Sequence, residues 1–128
     1  MSARATLWAR SGLVWLLVTM GAGLQVGMSG EFGASSHHAH AGLLGGVWAI
    51  AFAWLFERNG AALTVAGWAQ WALYNLGVAT MMVAMYLVVR QSGAWGIVIG
   101  LGGLVVLGST AWIVGNVWPR KSEPTPGL

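Results

Sequence analysis

The chain has 128 residues, of which 57% are apolar and only 7% charged, with a mean hydropathy of +0.70. A soluble domain carries about 25% charged residues, so this composition cannot coat a water-facing surface and places the chain in a lipid bilayer. Six Lys/Arg oppose three acids, an excess that reads as topology information rather than a nucleic-acid surface, and the absence of cysteine excludes disulfides, thiolate metal sites and thiol catalysis.

Four apolar runs follow one another, at residues 11–28, 39–56, 61–89 and 93–117. Each reaches the roughly 18–20 residues that cross a hydrocarbon core of about 30 Å. The predicted fold is therefore all-α: an integral membrane four-helix bundle, with a single domain over residues 1–118 and a loosely ordered polar tail over 119–128.

The first run follows Arg4 and Arg10 and has the look of a signal peptide. Its long apolar stretch, with no clear small-x-small site after it, predicts a membrane helix instead. The second run is entered through 35-SSHHAHAGLLGG-46, which holds the only histidines in the chain. Ser35 and Ser36 are good N-cap residues, so a helix is expected to begin there. The third run is too long to cross upright, and predicts either a tilt or interfacial first turns up to about Trp68.

With four spans, both termini and the 57-ERNG-60 loop share one side, together with Arg4, Arg10, Arg58, Arg120 and Lys121. The opposite side holds Arg90 alone among the basic residues. The positive-inside rule then makes both termini cytoplasmic. The loop with Glu31 and the histidines faces outward, toward the periplasm if the membrane is a bacterial inner membrane.

Lipid gives helices no hydrophobic drive to associate, so small residues at contacts matter. Gly23/Gly27, Gly42/Gly46 and Gly96/Gly100 are three GxxxG pairs. They predict close backbone contact, within one bundle or between copies. A bundle this small has little core of its own, so a homo-oligomer is expected. Trp8, Trp68 and Trp118 suit one membrane interface and Trp95 the other, while Trp48, Trp71 and Trp112 fall deeper. These deeper rings fill space or line a flat ligand.

His37, His38 and His40 admit three readings: solvated interfacial residues, ligands of Zn²⁺ or Cu²⁺ through the i, i+3 pair, or a single axial ligand to haem iron. In a regular helix His37 and His40 share a face with Leu44 and Val47, whereas His38 points toward Ala41, Gly42 and Gly45. That second face is nearly bare, open to another backbone or a flat ring. His40 lies deepest and precedes the small-residue stretch, which makes it the best-placed iron ligand. In the third run Gln70, Tyr74, Asn75 and Thr80 are polar groups at membrane depth, where such residues face the bundle interior or a cavity. Arg90 is either a snorkelling interfacial arginine or a bidentate partner for a haem propionate. Met81, Met82 and Met85 read as packing residues.

The segments 38-HAHAGLLGG-46 and 73-LYNLGVA-79 resemble the small four-helix membrane haem proteins of the styrene oxide isomerase type. That group is distantly similar in pattern to subunit I of haem–copper oxidases and nitric oxide reductases. The resemblance covers the helix count, the histidine motif and the tyrosine motif. It implies haem b held between subunits of a trimer, with His40 as axial ligand. His37, His38 and Gly42 would then lie against the cofactor, with Arg90 at a propionate. It also implies that Tyr74 orients an epoxide on the open iron face. The group's asparagine, six residues after the ligand, is Gly46 here, which leaves Asn75 as the candidate amide. The expected function is a haem-b protein, either a Lewis-acid isomerase of a small apolar epoxide or a non-enzymatic cytochrome b for electron transfer or a diatomic gas. A cofactor-free membrane subunit is the third expectation.

Overall fold

The structure is a computed structural model that describes residues 1–30, 32–88, 90 and 93–117, with the backbone alone at Ala34. Glu31, Trp118, Arg120, Lys121 and the predicted 119–128 tail lie outside the described residues. Among the described residues four helices are long and apolar enough to cross a membrane: α1 (Ala3–Ser29), α2 (Ser35–Arg58), α3 (Val65–Val88) and α4 (Trp95–Val117). The expected all-α fold of four membrane-length helices is thus what the chain adopts.

The boundaries differ from the apolar runs in ways that have local causes. α1 begins eight residues before the first run, because the Ser2 hydroxyl caps it by accepting from the Ala5 N–H at 3.2 Å. It ends at Gly30, whose φ of +69° is the left-handed conformation that a side chain disfavours, and whose N–H returns to the Val26 carbonyl. α3 begins at Val65 rather than at residue 61, which shortens the third span to 24 residues.

α1 and α2 lie side by side, and the glycines of α2 set their separation. A side chain at Gly46 would meet the Leu16 side chain at 2.5 Å, and one at Gly42 would meet Thr19 at 2.9 Å. Gly45 is filled in the same way by the Trp15 ring. The stretch between them, Ala41–Trp48, is a π-helix rather than an α-helix. Its i→i+5 spacing changes the helical phase between the histidines and the rest of α2. α3 packs chiefly on α4, and here the close approach is Gly77 against Gly102, where an added Cβ on Gly77 would stand 3.1 Å from the Gly102 carbonyl oxygen. Neither of these glycines belongs to a predicted GxxxG pair. Gly27, Gly96 and Gly100 have open space instead.

The aromatic part of the core sits at the end of the bundle that holds the N-terminus, and aliphatic residues such as Val78, Met81 and Val106 continue it. Trp8 is fully buried, with its ring 5.4 Å from Phe52, 5.7 Å from Phe56 and 5.2 Å from Tyr74. The expectation that Trp8 is an interfacial anchor is therefore corrected. α1 starts early enough to carry it inside. Burying one such ring contributes about 3–5 kcal/mol against truncation to alanine.

Arg4 is carried inside as well. It was expected only as one of the basic residues on the side of the termini, and it is 7% exposed, bonded through its guanidinium to Gln70 Oε1 and stacked 3.9 Å over the Phe56 ring. A guanidinium at membrane depth must find such partners, since an unpaired buried charge is costly.

Candidate functional site

The three histidines diverge. His37 is 7% exposed and turns toward α3, with its ring edge-on to Tyr86 at 5.6 Å. His38 turns toward α1, where its ring lies beside Gly23 and its backbone carbonyl accepts from the Thr19 hydroxyl at 3.3 Å. His40 turns to neither and stays half-buried at the surface of the bundle. The expected shared face of His37 and His40 is thus split between an inward ring and an outward one. No group of three His, Cys, Asp or Glu side chains gathers among the described residues.

His40 has the geometry of a poised single ligand. Its Nδ1–H donates to the Ser36 carbonyl oxygen, one turn back, at 2.8 Å. A carbonyl can only accept, so the proton is fixed on Nδ1 and the Nε2 lone pair is left outward. Metal-ligating histidines are oriented in this way, by a hydrogen bond from the other ring nitrogen.

One turn further along α2, about 6 Å away by helical rise, the Leu44 carbonyl accepts from the Tyr74 hydroxyl at 2.7 Å. Tyr74 is 1% exposed, held by its contacts with Trp8 and Phe52. Beside this bond lies a groove of about 320 Å³ between α2, α3 and α4, lined by Leu44, Trp48, Tyr74, Val106, Leu107 and Thr110. The Tyr74 hydroxyl therefore meets α2 four residues beyond His40. The wall of the groove is mostly apolar, with the Tyr74 and Thr110 hydroxyls and the Trp48 indole N–H as its side-chain polar groups.

The remaining expected site residues lie elsewhere. Asn75 points away from Tyr74, as adjacent residues on a helix must. Its Oδ1 accepts from Trp15 Nε1 at 2.8 Å and its amide donates to the Trp71 carbonyl at 2.8 Å. It ties α3 to α1 and does not line the groove. Gly42, expected on a face open to a flat ring, is instead covered by Thr19 of α1. Arg90 lies with its guanidinium 3.9 Å over the Tyr86 ring, at the histidine end of the bundle. Trp48, one of the deeper tryptophans expected either to fill space or to line a flat ligand, lines the groove.

Sequence reasoning missed two contributors to this site. The π-helix had no signal beyond a glycine-rich run, and the Leu44 carbonyl, a backbone atom, had none. No protein-family model, curated protein or solved structure matches the chain.

Proposed function

We propose that this chain is a haem-b-binding protein of a bacterial inner membrane, with both termini cytoplasmic and His40 as the axial ligand of the iron. The observation that carries the reading is the His40–Ser36 hydrogen bond, which fixes the tautomer and leaves Nε2 outward. The residues fit a single-ligand haem better than a zinc or copper centre, because His37 and His38 are turned into the bundle.

The groove beside Tyr74 is at the lower end of the roughly 300–1,000 Å³ range of ligand pockets, and is too small for a porphyrin. The macrocycle would lie on the outer face at His40, and the half-exposed ring calls for a second copy to cover it. A homotrimer is the arrangement we favour. Arg90, held at the same end, is the candidate partner for a propionate.

Bound there, haem iron would supply a Lewis acid that polarises an oxygen. The chain's own residues would do the rest. With the macrocycle on the outer face, the groove that meets the open side of the iron would be that of the covering copy, whose Tyr74 would hold the oxygen of a small apolar epoxide, exchanging its bond to the Leu44 carbonyl for one to the substrate. Trp48, Val106 and Leu107 would keep water from the ring-opened carbon. Isomerisation of an aryl epoxide is the reaction that this set of a single ligand, one phenol and a dry groove suits best.

The test is the absorption spectrum of detergent-purified protein from haem-replete cells. The reading predicts a Soret band with a five-coordinate or water-ligated ferric haem. A six-coordinate low-spin spectrum in both redox states would assign electron transfer instead. Colourless protein would overturn both.

A further inference from the structure

At the histidine end, on the side where α1 faces α3, lies a second cleft, of about 290 Å³. Trp15 and Val18 of α1 form one wall, Ala79, Met82, Val83 and Tyr86 of α3 form the other, and His37 of α2 is at the floor. Val18 and Val83 are exposed, so the mouth opens to the lipid side of the bundle. Beside the Trp15 indole and the Tyr86 phenol, His37 is the ionisable ring of this mostly apolar cleft. His37 is 7% exposed, its Nδ1 is sealed without any hydrogen-bond partner, and it makes no hydrogen bond among the described residues. A buried polar group left unsatisfied is costly and calls for an explanation, and of the six such atoms among the described residues His37 Nδ1 is the one whose side chain lines this cleft.

The contrast with His40 identifies the ligand chemistry. His40 is pinned to one tautomer by the Ser36 carbonyl. Nothing pins His37. With Nδ1 sealed, Nε2 is the nitrogen that can meet a ligand, and it can present either a proton or a lone pair. The partner that uses both is a ring oxygen that is a carbonyl in one state and a hydroxyl in another. The cleft volume admits one substituted six-membered ring and excludes a porphyrin. Trp15 and Tyr86 offer aromatic contact, and the lipid-side mouth lets an isoprenoid tail leave into the bilayer.

We infer that this cleft binds the headgroup of a membrane quinone or quinol, with His37 as its hydrogen-bonding anchor. The inference does not depend on haem at His40, and concerns binding alone.

Ubiquinone-1 and its quinol are the probes, titrated into detergent-purified full-length protein and followed by equilibrium dialysis, with phenyloxirane as a parallel arm. Saturable binding of ubiquinone-1 is expected, one per chain, weakened at least tenfold by His37→Leu and retained within a few-fold by His37→Gln. Because His37 is buried and its replacement could unfold the protein, Val83→Trp supplies the second variant. It narrows the mouth from an exposed position, and is expected to abolish ubiquinone-1 binding while helicity is unchanged. Binding that His37→Leu and Val83→Trp both leave intact would overturn the inference, as would no saturable binding to the parent protein because lipid or a neighbouring copy fills the cleft. Phenyloxirane competing at the same site with equal affinity would assign the cleft to epoxides instead.

Discussion

Tyr74 and Leu44 are joined by a hydrogen bond of 2.7 Å, from the phenol of α3 to a backbone carbonyl inside the π-helix of α2. This bond sets the level of the candidate groove one turn from His40. Tyr74→Phe keeps the aromatic packing but leaves a carbonyl with one fewer donor. The expected cost is about 1–2 kcal/mol, read as a lower midpoint in detergent-induced unfolding. Haem content should be unchanged, and any epoxide isomerase activity should fall far more than stability does.

Asn75 is expected to behave differently from its neighbour. Its side chain bridges Trp15 and the Trp71 carbonyl, so Asn75→Ala should destabilise the bundle by about 1 kcal/mol. Activity per folded molecule should stay the same. A selective loss of turnover with stability intact would place Asn75 in the site after all.

The Gly77–Gly102 crossing fixes how closely α4 approaches α3. Gly77→Ala presses a methyl against backbone, which cannot move as a flexible side chain can. It should cost about 1–3 kcal/mol. Gly100→Ala, in open space within α4, should leave a single chain unchanged or more stable, by up to about 1 kcal/mol, through helix propensity. Comparing the two midpoints separates a contact inside one copy from a sequence motif.

Arg4 is a structural clasp as well as a topology signal, since its guanidinium holds Gln70 and covers Phe56. Arg4→Lys keeps the charge but loses the planar fork, and Arg4→Met loses both. Both should lower thermal stability, with Arg4→Met costing about 1–3 kcal/mol through the orphaned Gln70 amide. Reporter fusions should still place the termini on the cytoplasmic side, because Arg10 and Arg58 remain.

Much of the architecture was legible because hydropathy reports membrane helices directly: the four apolar runs became four helices. What hydropathy could not report was the fate of charged and aromatic residues at a helix start. Arg4 read as a topology signal and Trp8 as an interfacial ring, yet the Ser2 cap extends α1 and carries both inside. The GxxxG pairs were half informative. Gly42/Gly46 does meet α1, while the tightest contact of α4 uses Gly102, outside any such pair. At the site, helical periodicity separated Tyr74 from Asn75 correctly. It could not foresee the π-helix after His40, which shifts the phase that a regular helix would have kept from Ala41 to Trp48. The face beside Gly42 looked open only because its occupant, α1, is distant in sequence.

The central claim is that His40 alone binds the haem iron. The most direct measurement is the Soret absorbance per chain of His40→Ala beside His38→Ala, each purified in detergent from haem-replete cells and matched for helicity. The account predicts that His40→Ala loses the band while His38→Ala keeps most of it. A retained band in His40→Ala, or its loss only in His38→Ala, would contradict the assignment.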